Sequence, residues 1–318
     1  MSDWRPGASR AALASRAALF ADIRAFFAER GVLEVDTPLL SRYGVSDPAI
    51  EPILARSASH GAAALFLQTS PEFAMKRLLA AGSGAIYQLA KAFRDEEFGA
   101  RHNPEFTLLE WYRPDFSLDQ LIAEVAALLS SCLGQADVSR VSYRELFLTE
   151  LAVDPWQTST DELAAVAGRQ LDVGELELDL DGWLDLLMSH LIEPRLASRG
   201  RVFIHGYPPS QAALARCEER EGRVEAQRFE LYLDGVELAN GYCELLDPRE
   251  LSRRAALDNQ QRRAGGQVER ELDPRLLAAM QQGLPDCCGV ALGVDRLLMI
   301  GLGAQRISET MPFDWTRC

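Results

Sequence analysis

The sequence predicts an α+β fold, one domain spanning residues 1–318, from three observations. Strand-like segments follow one another in runs, segments of helical periodicity form their own runs, and no repeat, low-complexity tract or linker divides the chain. A length of 318 residues allows about two domains at roughly 150 residues each, but one large α+β domain fits as well.

The elements read in order. Leu13, Leu19, Phe20, Ile23, Phe26 and Phe27 recur at steps of three and four between Arg10 and Arg30, the signature of an amphipathic helix, and Gly31 stops it. Val32 to Val35 reads as a short strand before Thr37-Pro38. A Ser, Pro and Gly-rich loop leads to a strand at Leu65–Gln68 and a helix through Met75, Leu78 and Leu79, with Ser70 a candidate cap. Strands are expected over Ala85–Phe93 and Phe106–Tyr112, separated by a loop with Gly99 and Asn103-Pro104. Helices follow over 118–133, 143–151, 160–167 and 184–197, then strands at Arg201–His205 and from Phe229 onward. A charged helix runs from beyond Asp247 to about Arg263, another lies near Pro274–Gln282, and the segment Cys287–Gly303 closes the chain.

Composition removes several classes. With 47% hydrophobic and 25% charged residues the chain is neither disordered nor collagen-like. The opening Met1 to Pro6 carries no apolar leader, and no stretch approaches the roughly 18 apolar residues that span a bilayer, so a soluble cytoplasmic protein without membrane partners is expected. Six cysteines lack C-x-x-C spacing and four histidines lie apart, which disfavours zinc and His-centred nucleophilic catalysis. Adjacent Cys287 and Cys288 read as small residues suited to close packing before Gly289. A net charge of -14 opposes nucleic-acid binding except through a local basic patch. Arg249, Arg253, Arg254, Arg262 and Arg263 form one such stretch, either a solvated helix face or a docking surface.

Chemistry concentrates in three places. Asp234-Gly235 is a strong hairpin signal; pairing Leu233 with Val236 sets Tyr232 against Glu237 and Glu230 against Ala239, with Glu230 and Glu237 on one face. Two anions there call for a cation, and Mg²⁺ holding phosphates is the natural candidate, a solvated hairpin face the alternative. Glu244, an odd seven residues beyond Glu237, would need a bulge or a second turn at Asn240-Gly241 to reach that face. Arg94 and Arg296 are candidate phosphate ligands, although a buried Arg–Asp pair would look the same. Neither a P-loop nor a G-x-G-x-x-G turn is present.

Phe93-Arg94-Asp95-Glu96, the run Arg101 to Tyr112 and Gly289 to Arg296 resemble motifs 2 and 3 of class II aminoacyl-tRNA synthetases. The first helix and strand, ending at Pro38, resemble motif 1, which in that class builds a homodimer interface. His102 to Phe106 and Glu237-Leu238-Ala239-Asn240-Gly241 are similar to the lysyl branch, and the likeness covers essentially the whole chain. With the motif 1 helix starting near residue 10, no OB-fold anticodon-binding domain is expected. The chain thus resembles the stand-alone lysyl-tRNA synthetase paralogues that modify translation elongation factor P. That resemblance implies ATP-dependent activation of (R)-β-lysine, or lysine, and its transfer to a lysine of elongation factor P, with ATP and Mg²⁺ and without tRNA. A truncated enzyme that charges tRNA and a non-catalytic paralogue are the alternatives.

Carried over by residue, the resemblance implies that Arg94 binds the α-phosphate, Glu96 the adenine amino group and Arg296 the γ-phosphate. Phe106 would stack on adenine, with Asp95, His102, Asn103, Leu238 and Gly293 lining the nucleotide site. Glu230 and Glu237 would hold Mg²⁺. Glu72 would meet an amino group of the substrate near its carboxylate end, with Ser70 and Pro71 beside it, and Tyr112, Glu244 and Glu110 would receive its distal ammonium. Two positions depart from the lysyl pattern. Asp95 stands where Asn is common, leaving open whether it pairs with Arg94, and Ala291 replaces the usual Gly, adding a methyl at the pocket wall. One methyl can shift discrimination between close ligands by about 1–3 kcal/mol, and a β-amino acid is expected over α-lysine, as the resemblance also implies.

Overall fold

Ser9 begins the first helix by accepting the Ala12 N–H at 3.1 Å, and α1 (Arg10–Ala28) buries Leu19, Ile23, Phe26 and Phe27 along one stripe. The computed structural model describes residues 4–60, 64–174 and 176–318. Met1–Asp3 of the opening stretch and residues 61–63 of the polar loop lie outside the described residues. Gly31, at φ +65°, supplies the left-handed residue that ends α1 and turns the chain into β1 (Leu33–Glu34). The short strands β2 (Leu40–Ser41) and β3 (Leu54–Ala55) flank β4 (Leu65–Leu67) in a small sheet. Next come α2 (Glu72–Ala80), β5 (Ile86–Phe93) and β6 (Glu105–Pro114). Ser70 does not cap α2: Pro71 occupies the cap position, without a side-chain hydrogen bond.

The middle of the chain forms α3 (Leu118–Leu133), β7 (Val138–Ser142), α4 (Tyr143–Leu151), α5 (Thr160–Gln170) and α6 (Leu180–Leu187). A π-helical turn, Met188–Ile192, separates α6 from α7 (Glu193–Leu196). The helix expected over 184–197 therefore begins earlier, where Asp179 caps the Gly182 N–H at 2.8 Å, and changes its winding before Pro194, whose ring nitrogen has no proton to donate. Then follow β8 (Arg201–Tyr207), β9 (Cys217–Arg220), β10 (Arg223–Leu233), β11 (Val236–Cys243), α8 (Pro248–Ala264), α9 (Pro274–Gly283), β12 (Cys287–Gly293) and α10 (Val294–Leu302).

The chain divides into two compact units. One comprises the residues up to Phe116, Ala127–Gly134 and Leu245–Cys318; its main strands run in the order β1-β5-β6-β12, with β1 parallel to β5 and the others antiparallel. Phe27 of α1 stacks on Tyr87 at 4.4 Å and meets Trp111 edge-on at 5.3 Å, which seats the helix on β5 and β6. The other comprises Ser117–Ala126 and Gln135–Glu244, with strand order β11-β10-β8-β7 and β9 beside β10. Its core joins Phe147, Leu163, Leu184 and Ile192 from the helices to Ile204 and Tyr232 from the strands. This mixture of antiparallel strands and packed helices is an α+β fold. Among the described residues no helix is long and apolar enough to cross a membrane.

The basic stretch on α8 is largely neutralised. Arg253 and Arg254 both pair with Glu250, Arg263 pairs with Glu269, and the wholly buried Arg262 pairs with Glu51, so the reading of this stretch as one cationic face is not supported.

Candidate active site

Arg94 leaves the end of β5 with its backbone fixed by a hydrogen bond to the Pro104 carbonyl at 2.9 Å. Its guanidinium lies 5.2 Å over the Phe106 ring and 3.4 Å from Glu97, while its buried Nε–H has no acceptor among the described residues. A buried donor without a partner is costly, which suits a group that a phosphate oxygen completes. Asp95 does not pair with Arg94; its Oδ1 accepts the Glu96 N–H at 2.9 Å, and its own N–H donates to the Glu51 carbonyl at 2.7 Å. These bonds hold Glu96 at φ +64°, a left-handed conformation uncommon for a carboxylate residue.

Arg296 sits in the first turn of α10. It donates to the Arg101 carbonyl at 3.4 Å and lies 2.6 Å from the His102 Nε2. Burial, then the positive charges of Arg296, Arg94 and Arg101, hold the His102 pKa below its ordinary value, against the opposing pull of Glu97. At neutral pH the ring is therefore an acceptor for Arg296. Protonation below the usual imidazole range of about 6.5 would remove that acceptor and add a fourth cation. We expect the KM for ATP to fall as pH drops below the ordinary imidazole range, because a fourth cation favours a polyanion, and His102→Asn to flatten that acid limb; an identical pH profile for the variant would refute the coupling.

Arg94, Glu97, His102, Arg296 and Phe106 thus form one connected group. Asp295 does not pair with Arg296: its buried carboxylate binds Arg16 of α1 at 2.5 Å and accepts the Thr107 N–H at 2.6 Å, while Arg16 also reaches the Thr107 hydroxyl at 2.7 Å. This clamp fixes the start of α10 against β6 and was not legible beforehand. Asn103 is engaged with the backbone, donating to the Glu105 carbonyl at 2.6 Å and accepting the Trp315 N–H at 2.9 Å. Gly293 has φ −76°, which any residue can adopt.

The neighbouring strands carry a second group. The Tyr112 hydroxyl donates to Glu110 Oε1 at 2.5 Å, both side chains buried. Cross-strand pairing sets Gln88, Glu110 and Ala291 in one row across β5, β6 and β12, so the Ala291 methyl stands directly beside Glu110. Met75 of α2 packs in the same cluster as Tyr112. On α2, the buried Lys76 donates to Glu72 at 2.6 Å, an i,i+4 pair that orients the carboxylate.

In the other unit, Asp234 and Gly235 at φ +51° and +74° make the hairpin turn expected of that dipeptide. Leu233 pairs with Val236 and Tyr232 with Glu237, but the register then slips: Leu231 faces Ala239 and Glu230 faces Asn240, not Ala239. Leu238 is the extra residue, so the bulge lies there and not at Asn240-Gly241. Its effect on parity is the one the odd spacing required. Alternation from Asn240 through Tyr242 returns Glu244, wholly buried, to the face of Glu230 and Glu237. The cation between the acids includes a residue that the sequence reading passed over. Arg228, two positions before Glu230 and hence on the same face, bonds Glu230, reaches Asn240 Oδ1 at 3.1 Å and lies 4.5 Å over the Tyr207 ring. Tyr232 donates to the other Glu230 oxygen at 2.8 Å. Burial alone would lower the Arg228 pKa, but Glu230, Tyr207 and Glu237 outweigh it and raise it, so the guanidinium is firmly charged. Two carboxylates on one face are hard oxygen donors, a set that fits Mg²⁺. Among the described residues no group of three or more His, Cys, Asp or Glu could hold a metal alone, so such an ion would draw further oxygens from a substrate.

The fold and these motifs define a class II synthetase-type catalytic domain. The chain belongs to the family of class II tRNA synthetases (D, K and N), whose model it matches over residues 1–317. Relatives described as elongation factor P--(R)-beta-lysine ligase align along its full length. The Photorhabdus laumondii protein is 45% identical, covering 99% of this chain and 98% of its own. The Erwinia tasmaniensis protein is 47% identical over the whole of both chains, and the Edwardsiella ictaluri protein 46% identical over 100% and 99%.

Proposed function

We propose that this chain is an ATP-dependent ligase that activates (R)-β-lysine as an aminoacyl-adenylate and transfers it to a lysine side chain of translation elongation factor P. The observation that carries the reading is the full-length likeness, at 45–47% identity, to relatives bearing that name, together with a connected arginine group and a buried Glu–Tyr pair where the family motifs lie. The catalytic unit is a single class II domain, cytoplasmic and homodimeric, acting without tRNA. Exposed Leu33, in the motif 1 segment, suits a subunit interface.

The substrate carboxylate attacks the α-phosphorus of ATP and pyrophosphate leaves; the partner's ε-amine then attacks the acyl carbon, AMP leaves and the amine releases a proton. Arg94 binds the α-phosphate, with its Nε–H, which has no acceptor among the described residues, available to the oxygen on which charge accumulates, and Arg296 holds the γ-phosphate. Phe106 stacks on adenine, Glu96 receives its amino group, and Asp95, His102, Asn103, Leu238 and Gly293 shape the nucleotide site. Glu230, oriented by Arg228, and Glu237 would hold Mg²⁺, which when bound would neutralise phosphate charge. Ser70, Pro71 and Glu72 bind near the reacting end, and Glu110, Tyr112 and Glu244 receive the distal ammonium. No protein nucleophile is needed, and the rate enhancement comes from positioning and charge. Mass spectrometry of elongation factor P incubated with the protein, ATP and (R)-β-lysine should show one added β-lysyl group; unmodified factor alongside efficient lysylation of tRNA would overturn the reading.

Ala291 sets the isomer preference from its place beside Glu110. Ala291→Gly is expected to move the ratio of kcat/KM for α-lysine over β-lysine, read by pyrophosphate exchange, at least about ten-fold toward α-lysine, the lower end of what one carbon contributes. An unchanged ratio would remove the methyl from the specificity argument.

A further inference from the structure

Most arginines of this acidic chain are matched to an acid: Arg24 to Glu34, Arg144 to Asp154, Arg195 and Arg199 to Glu150, Arg253 and Arg254 to Glu250. Three exceptions meet at one place. Arg42, just after β2, Arg77, on the outer side of α2, and Arg275, in the first turn of α9, line a single cavity of about 200 Å³. All three are exposed, and none forms an ion pair or guanidinium hydrogen bond among the described residues. Asp273 is the one acid in the lining; its Oδ1 accepts the Arg275 N–H at 2.9 Å as the cap of α9. Even when its charge is counted, the cavity keeps a surplus of two positive charges in a chain of net charge -14.

Guanidinium groups pair with carboxylate or phosphate oxygens through two parallel donors, so the ligand chemistry is anionic. The volume narrows it further. Sites that enclose a small molecule span roughly 300–1,000 Å³, and a smaller, open cleft ringed by exposed cations suits individual acidic side chains of a protein surface. Ser70 stands in the wall of this cavity and, in the function proposed above, also in the site of the activated amino acid. A macromolecule held by the three arginines would therefore lie at the point where an acceptor amine has to arrive.

We propose that Arg42, Arg77 and Arg275 form the docking cleft for an acidic segment of the protein acceptor. The inference rests on the proposed transfer to a protein and adds where and by what charge that protein is held. Steering of this kind acts on encounter and on KM more than on the chemical step.

The test uses the full chain with Arg42→Glu, Arg77→Glu and Arg275→Glu, singly and together, and a matching triple Gln variant, each checked for an unchanged melting temperature. Two activities are read: β-lysine-dependent pyrophosphate exchange, which needs no acceptor, and transfer to elongation factor P at varied salt. Exchange should stay within about two-fold, while the KM for the factor rises about ten-fold or more in the triple Glu variant, less in the Gln variant, and loses its salt dependence. An unchanged KM in the triple Glu variant overturns the cleft, as does a parallel loss of exchange, which would assign these arginines to the amino-acid site. Weakened binding of tRNA with unaltered transfer to the factor would overturn it in favour of an RNA surface. If the unsubstituted chain gives no exchange with either lysine isomer, the functional reading itself fails, and this inference with it.

Discussion

Replacing Arg94 by alanine is expected to reduce amino-acid-dependent pyrophosphate exchange by at least about 10²–10³-fold, the usual effect of deleting one preorganised donor to a developing oxyanion. The side chain is held in place by Phe106 and Glu97, and it retains a buried Nε–H without an acceptor among the described residues. Fold stability should change little, because the ion pair to Glu97 is partly exposed and such pairs contribute about 0–1 kcal/mol. Arg94→Lys should recover little, since an ammonium lacks the planar pair of donors. The outcome that would refute the role is near-normal exchange by a folded Arg94→Ala protein.

Glu51→Ala is expected to give the largest loss of stability. Glu51 bridges two arginines: Arg262, wholly buried, which also donates to the carbonyls of Val268 and Asp47, and Arg270, 8% exposed, whose backbone is pinned by Asn259. Removing the shared carboxylate strands two cations away from water, for which about 3–5 kcal/mol is expected. At 2–4 °C per kcal/mol for a large domain, the melting temperature should fall by roughly 10 °C. The same substitution reaches the nucleotide site, because the Glu51 carbonyl accepts the Asp95 N–H and thereby supports the turn that holds Glu96. A raised KM for ATP at temperatures where the variant is still folded is the second expected readout. Chemical denaturation showing a loss below about 1 kcal/mol would mean that water or neighbouring carbonyls carry the arginines, and that the carboxylate does not.

How much was legible beforehand depended on the range of the interactions concerned. The boundaries of α3 and α4 follow from local apolar spacing, and the hairpin at 234–235 from two residues that tolerate positive φ, so these could be read directly. β7 could not: its exposed edge sequence Val-Ser-Arg-Val-Ser has no buried face, and it exists by pairing with β8 some sixty residues later. Motif resemblance named the site residues, but it did not predict what supports them. Arg16 and Asp295 are 279 positions apart, and nothing in either neighbourhood announces the other. Arg228 is a different kind of omission. Its position two before Glu230 on a strand places it on the same face, and alternation alone would have found it.

The unpaired Leu238 has a consequence for how this hairpin can change over time. Because one supernumerary residue reconciles a seven-position interval with two-residue alternation, the segment from 237 to 244 tolerates altered identities far better than altered length. Deleting that single position would keep every carboxylate in the chain and yet aim the last of them at the opposite side of the sheet, so that indels, rather than point changes, are what this stretch cannot absorb.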